Sequence, residues 1–327
     1  MRALIRFVSS GVLSFAAFLT TVPSAAQAYP ERPVRLVVPY PPGGSTDSVA
    51  RTLAERLATI WGRAVVVENH AGAGGIIGTE LVARATADGH TLLMGAAQTH
   101  ALNPHLYARL PYDPFRDFAP VSLVATTPLV LVIHPGVDVS SVQGLIALAR
   151  QRPGALSFAS TSSGGTPHLA GELLASMAGI NIVHVPYRGS APAITDLLAG
   201  HVQLMFDSTV SALPHVKAGR LRALAVTTKA RSAAAPDLPT VAEAALPGFE
   251  VVSWLGIFAP AKTPAAVVER LNRDIAQSLT LPDVRSRLIV QGAEPAPMST
   301  GEFTAFHRAE WDRWRKIITD ARVRPIE

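Results

Sequence analysis

One pattern recurs along this chain and limits what it can fold into. A short apolar, β-branched run leads into a loop of glycine, serine, threonine and proline, and an amphipathic helix follows. Val34-Arg35-Leu36-Val37-Val38 runs into Pro41-Pro42-Gly43-Gly44-Ser45-Thr46-Asp47. The next segment places Val49, Leu53, Leu57 and Ile60 on one face at three- and four-residue steps, and Gly62 ends it. Ala64-Val65-Val66-Val67 leads into Gly72-Ala73-Gly74-Gly75 and a helix near 77–85. Thr91-Leu92-Leu93-Met94 leads into the polar loop Gln98-Thr99-His100. The pattern restarts after Leu129-Val130-Leu131-Val132-Ile133. Leu156-Ser157-Phe158-Ala159 precedes Ser160 to Thr166, Ile182 to Val185 precedes Tyr187-Arg188-Gly189-Ser190, and Val202 to Phe206 precedes Asp207-Ser208. Alternating strands and helices predict largely parallel sheets with helices on both faces. Two blocks of the pattern predict two α/β lobes. Ligands of such sheets sit beyond the carboxyl ends of the strands, so two facing lobes would put two sets of loops across one cleft.

The first residues place the protein outside the cytoplasm. Arg2 and Arg6 precede an uncharged, mostly apolar stretch from Phe7 to Val22, and Ala26-Gln27-Ala28 is an A-x-A cleavage site. Residues 1–28 therefore read as a signal peptide removed after Ala28, rather than a retained anchor. There is no cysteine, which closes disulfides, thiol chemistry and lipid anchoring through an N-terminal cysteine. The remaining chain of about 300 residues is long enough to stand on its own core and suggests about two domains. The formal charge of +5 falls by two when Arg2 and Arg6 leave, and the remaining charges are dispersed. Nucleic-acid binding is poorly supported, and an anionic small molecule suits the mild positive balance.

The loop from Pro41 to Asp47 fits a carboxylate or phosphate site. Its glycines allow close backbone approach, and the helix start offers free N–H groups. It also fits an ordinary strand-to-helix turn, and no Gly-Lys-Ser/Thr follows to make it a P-loop. The loop from Ser160 to Thr166 repeats the design, with Thr166 as N-cap and Pro167 at the first helical position. Two such loops, one in each block, favour the anion site. Gly72 to Gly78 spells G-x-G-x-x-x-G, with the third glycine one place late for a dinucleotide fingerprint, so no cofactor is expected. The ten histidines are scattered without metal-ligand spacing, and no G-x-S-x-G elbow occurs. Asp207, just past a strand end, fits either a ligand contact to an amine or hydroxyl or a cap for the next helix. Thr240-Val241-Ala242-Glu243 and Ser299-Thr300-Gly301-Glu302 fit the capping box.

Several of these segments together resemble the receptor family of tripartite tricarboxylate transporters, the Bug or TctC proteins. The similarity rests on Tyr29-Pro30, Val37 to Asp47, Val67 to Gly75 and Leu110-Pro111-Tyr112-Asp113. It continues through His168 to Leu173, His184 to Gly189, Leu213 to Gly219 and Leu238 to Glu243. It covers the chain after the leader, in order. The resemblance implies a two-lobed type II periplasmic-binding fold, each lobe a mixed, mostly parallel sheet flanked by helices. Lobe 1 would be discontinuous, 29–125 plus 254–327, and lobe 2 would be 126–253. It implies a monomeric periplasmic receptor that closes on a small carboxylate or dicarboxylate and presents it to membrane transporter subunits or to a membrane sensor. The implied contacts are Tyr40, Gly43, Gly44, Thr46 and Asp47 on one side and Ser160, Gly165 and Thr166 on the other; Gln98 and Asp207, which follow strands, join them as candidates, with no catalytic residue and no metal. The rival reading is an exported oxidoreductase or hydrolase.

Overall fold

The computed structural model describes residues 29–320 and 323, so the leader assigned to 1–28 lies outside the described residues. In chain order the elements are β1 (Val34–Val38), α1 (Ser45–Trp61), β2 (Val65–Asn69), α2 (Ile76–Ala83), β3 (Thr91–Ala96), α3 (Asn103–Leu106), β4 (Phe118–Ile133), α4 (Val142–Gln151), β5 (Ser157–Ser160), α5 (Thr166–Ala178), β6 (Val183–Pro186), α6 (Ser190–Leu198), β7 (Leu204–Ser208), α7 (Thr209–Lys217), β8 (Arg222–Val226), α8 (Val241–Ala244), β9 (Val252–Pro260), α9 (Ala265–Thr280), α10 (Pro282–Val290), β10 (Glu294–Pro295) and α11 (Thr300–Asp320).

The apolar runs form the strands because they are buried on both faces, as parallel strands covered by helices must be. Every residue of β3 is buried. Parallel pairing joins β1 to β2 and β3, and separately joins β5 to β6 and β7. One strand bridges the two halves. β4 is 16 residues long. From Phe118 to Pro128 it pairs antiparallel with β9. From Leu129 to Ile133 it pairs antiparallel with β7 and, along its other edge, with β8. The resulting order is β2-β1-β3-β9-β4-β7-β5-β6, with β8 and β10 also on β4. This is the mixed α/β, two-lobed arrangement that the repeated pattern and the resemblance imply. Sequence reading placed a strand at Leu129–Ile133; the observed strand begins at Phe118, because β9 pairs with residues that carry no apolar run of their own.

Helices close both faces. α1 buries Val49, Ala50, Leu53, Ala54, Leu57 and Trp61, and Gly62 ends it at φ 60°. Its last residue is tied down by an indole N–H donating to Asp274 Oδ2 of α9 at 2.7 Å. α11 returns Phe303 and Trp314 onto Trp254 and Phe258 of β9 in one buried cluster. The two predicted capping boxes are present: Thr240 Oγ1 accepts from the Glu243 N–H at 3.0 Å, and Ser299 Oγ from the Glu302 N–H at 3.2 Å. Among the described residues no helix is long and apolar enough to cross a membrane.

Candidate functional site

A cavity of ≈ 600 Å³ lies where the two halves face each other, a size that suits a small molecule. Three helix starts reach it, those of α1, α5 and α6. Their N-cap residues are Gly44, Gly165 and Gly189, and none has a side chain to cap the first-turn N–H groups. Those donors have no partner within their own helix and carry the positive end of its dipole. The Thr166 cap predicted from sequence is corrected here: Gly165 is the N-cap and Thr166 is the first helical residue.

The first wall is the turn from Tyr40 to Thr46. Gly43 turns at φ +83°, a conformation that a Cβ disfavours. Its N–H donates to Asp47 Oδ2 at 2.9 Å. Asp47 is buried, and it also accepts from Arg51 Nε at 3.0 Å and from Asn69 Nδ2 at 2.9 Å. Burial alone would raise its pKa, but the hydrogen bonds from Arg51, Gly43 and Asn69 together hold it below the ordinary aspartate value. The Asn69 amide spans to the Tyr40 carbonyl at 3.1 Å. Asp47 and Gly43 therefore brace the turn from behind, while Tyr40, Gly44, Ser45 and Thr46 line the cavity.

The second wall runs from Ser160 to Thr166. Ser160 is fully buried; its hydroxyl donates to the Ser162 carbonyl at 2.9 Å and lies 2.7 Å from His184 Nε2. His184 stacks on His168 with ring centroids 3.8 Å apart, and the Gly164 N–H donates to His168 Nδ1 at 3.1 Å. Burial, and then the neighbouring His168, push the His184 imidazole down to about 4, so it is neutral near pH 7. Ser160 thus holds the loop from inside, and Thr161, Ser162, Gly165 and Thr166 face the cavity.

The floor comes from the bridging strand β4, through Thr127 and Leu129, and from its partner β9, through Ser253 and Leu255. Gln98 and Gly74 complete the first side; Ser190, Asp207 and Ser208 complete the second. Of the residues expected from sequence, the cavity brings together Tyr40, Gly44, Thr46, Gln98, Gly165, Thr166 and Asp207. It does not bring in Gly43, Asp47 or Ser160. Sequence reading missed Gly74, Gly189, Ser190 and the floor residues. Gly189-Ser190 repeats the strand, glycine, helix pattern and was findable on that ground. The floor residues carry no local signal, because only the pairing of β4 with β9 puts them there.

Asp207 is the one carboxyl among the described residues that line the cavity. Its Oδ1 accepts from Ser190 Oγ at 2.8 Å. Burial pushes its pKa up to about 6, against the lowering effects of Ser190 and the Ser208 N–H. It does not cap α7, whose N-cap is Ser208, the Oγ accepting from the Ser211 N–H. No lysine, arginine or histidine is among the described residues that line the cavity. Among the described residues no cluster could hold a metal ion. The site offers backbone N–H groups and hydroxyls to an anion, apolar surface from Pro41, Ala96, Leu129, Pro167 and Leu255, and one carboxyl.

Comparison with known proteins agrees with this geometry. Residues 49–323 match the model of the tripartite tricarboxylate transporter family receptor. The chain is 45% identical over 309 residues to a protein encoded between tcbD and tcbE in Pseudomonas sp. (strain P51), covering 93% of this chain and 92% of that one. It is similar to an R. palustris protein solved with adipate, at 40% identity and TM-score 0.82, covering 91% of this chain and 100% of the other. It is also similar to MatC from Rhodopseudomonas palustris with bound malate, at 33% identity and TM-score 0.76, covering 89% and 100%.

Proposed function

Because the chain belongs to the receptor family of tripartite tricarboxylate transporters, a family of ligand-binding receptors rather than enzymes, we propose that it captures a small carboxylate or dicarboxylate between its lobes in the periplasm and presents it to a membrane transporter of that type. The observation that carries this reading is the pair of helix starts at Gly44 and Gly165 without side-chain caps, which enter one cavity from opposite halves with no lysine, arginine or histidine among the described residues that line it. Backbone N–H groups at helix starts hold carboxylates without a charged partner. The adipate and malate bound by similar proteins are acids of a size such a cavity takes.

In this reading the contacts are Tyr40, Gly44, Thr46, Gln98, Gly165, Thr166 and Asp207, and Gly43, Asp47 and Ser160 hold the loops that present them. The two lobes move as bodies against each other about β4, the strand that joins them. Closure excludes water and strengthens each hydrogen bond to the ligand. Residues 1–28 direct export and are removed after Ala28, and the released monomer diffuses to its transporter. A thermal-shift screen of ligand-free protein against mono-, di- and tricarboxylates tests the reading. A bound acid at a hundred times its Kd stabilises by about 2.7 kcal/mol and raises the midpoint accordingly. An unmoved midpoint across the whole acid panel removes the proposal.

A further inference from the structure

Behind the second wall stand two stacked imidazoles that are not among the residues lining the cavity. His168 lies in the first turn of α5 and is 8% exposed. Its Nδ1 accepts the Gly164 N–H at 3.1 Å. That bond leaves the ring hydrogen on Nε2, where Glu172 Oε1 stands 3.4 Å away. His184 of β6 covers the ring with centroids 3.8 Å apart, and Phe158 of β5 packs against both rings. Gly164 itself is buried and turns at φ +73°. The next two residues, Gly165 and Thr166, open α5 at the cavity. The direction of the helix start is therefore set, one residue back, by a bond to an imidazole nitrogen.

Such a nitrogen differs from a carbonyl or hydroxyl acceptor in one respect: it can take up a proton in the range where imidazoles titrate. A proton on Nδ1 turns the acceptor into a donor that faces the Gly164 N–H, and the bond is lost. A buried N–H left without a partner is costly, so the turn must move to find another. His184 does not compete for that proton. Burial, and then His168, hold it at about 4, so it stays neutral down to pH 5. Glu172, on the same helix, is placed to pair with the ring once it is charged. Of the other elements around the pair, β5 contributes Phe158 and Ser160. β7 also packs on α5 and carries Asp207, whose Oδ1 accepts from Ser190. α11 packs on α5 as well, and its ion pairs run to Glu250 or within the helix.

Resting on the capture reading above, we infer that His168 is a positioning residue: its neutral Nδ1 holds Gly164, and through it Gly165 and Thr166, in the arrangement that takes the acid, and a proton on that nitrogen releases the loop. Capture is therefore proton-sensitive through the second wall. The first wall does not share the device, because the Asp47 carboxylate that braces it is held below the ordinary aspartate value and stays ionised over the same range.

Nitrogen-15 NMR of residues 29–327 without ligand tests the bond itself. At pH 7.5 the His168 Nδ1 signal is expected to be that of a bare acceptor nitrogen. Between pH 7.5 and 5 it should take up a proton, and the Gly164 amide signal should move with the same midpoint. Calorimetric titration with adipate and with malate reads the consequence. His168→Asn keeps an acceptor oxygen near the place of Nδ1 and cannot be protonated there. It should bind like wild type at pH 7.5 and about ten-fold more tightly than wild type at pH 5, as one buried hydrogen bond implies. Asp207 and the acids themselves titrate equally in both proteins, so the ratio isolates His168. His168→Ala, with no acceptor, should bind about ten-fold more weakly than wild type at pH 7.5 and match it at pH 5. The inference is overturned if the Gly164 amide stays still while His168 titrates, or if His168 takes up no proton above pH 5. It is equally overturned if wild type and His168→Asn lose affinity alike on acidification, as a purely structural histidine would have it. Failure of both acids and of the wider acid panel to bind at pH 7.5 removes the capture reading, and the NMR titration still decides what His168 does to the loop.

Discussion

Asp47 turns its carboxylate away from the cavity and spends it on the loop. It satisfies the Gly43 N–H, the Asn69 amide and the Arg51 guanidinium at once. The Arg51 partner is half exposed and adds little by itself; the Gly43 N–H and the partly buried Asn69 amide both donate to the buried carboxylate and tie the turn together. Asp47→Ala should cost about 0.5–1.5 kcal/mol of stability by removing the acceptor they share. It should also weaken carboxylate binding, although Asp47 is not among the residues that line the cavity. Thr46→Ala, on the cavity side, should lower affinity about two- to ten-fold, the worth of one neutral hydrogen bond, and leave stability within about 0.5 kcal/mol. Urea unfolding and titration of both variants separate the two roles. If Thr46→Ala binds like wild type, the proposed wall is misplaced. The sequence shows that the turn exists. It does not show which of Gly43, Thr46 and Asp47 looks inward, because that depends on Asn69, 22 residues further on.

At the scale of elements, the helix starts are set by how closely each helix lies on its strand. Gly171 of α5 faces Phe158 of β5, and a Cβ there would stand 2.1 Å from the ring. Phe158 is fully buried and has no room to retreat. Gly171→Ala should therefore lift α5 and cost about 1–3 kcal/mol as an overpacked core does. It should also weaken binding by displacing Gly165 and Thr166 at the helix start. Gly301→Ala is the control. Nothing lies within 4 Å of its Cβ in the first turn of α11, so the change should be neutral or stabilise by up to about 1 kcal/mol. Thermal melts of both decide the matter; equal midpoints would contradict the packing argument. Helix faces such as Val49, Leu53 and Leu57 were legible from spacing. The length of β4 was not, since Pro120, Ser122, Thr126, Thr127 and Pro128 spell a loop until β9 pairs with them.

For the whole molecule, buried histidines tie stability to pH. Burial holds His100, His184 and His307 below the ordinary value of 6.5, His184 and His307 at about 4. Above pH 6.5 these groups are neutral in both states. As the pH falls through 6.5 the unfolded chain takes up protons that the folded chain refuses, so stability drops until the pH nears 4. At about 1.4 kcal/mol per unit, His307 alone accounts for about 3 kcal/mol over that window. Asp207 acts in the opposite sense. With its folded pKa raised to about 6, it recovers stability as pH falls from 6 toward its ordinary value of 3.8, and it partly offsets one histidine. Unfolding midpoints should therefore fall between pH 7.5 and 5; a flat profile would mean that these imidazoles are solvated.

The α/β class, two blocks of the same pattern and the two glycine-rich loops were all readable in the chain, because each rests on neighbours within about one turn or one strand. The resemblance added the family to which the chain belongs. Only the tertiary structure decided which residues form the cavity. It turned Gly43, Asp47 and Ser160 into supports, brought Gly74 and Ser190 to the wall, and laid Leu129 and Leu255 across the floor. It also buried Asp207 beside Ser190, whose hydroxyl donates to Oδ1. Direction of a side chain and pairing of distant strands depend on contacts between residues far apart in the chain, and no local pattern encodes them.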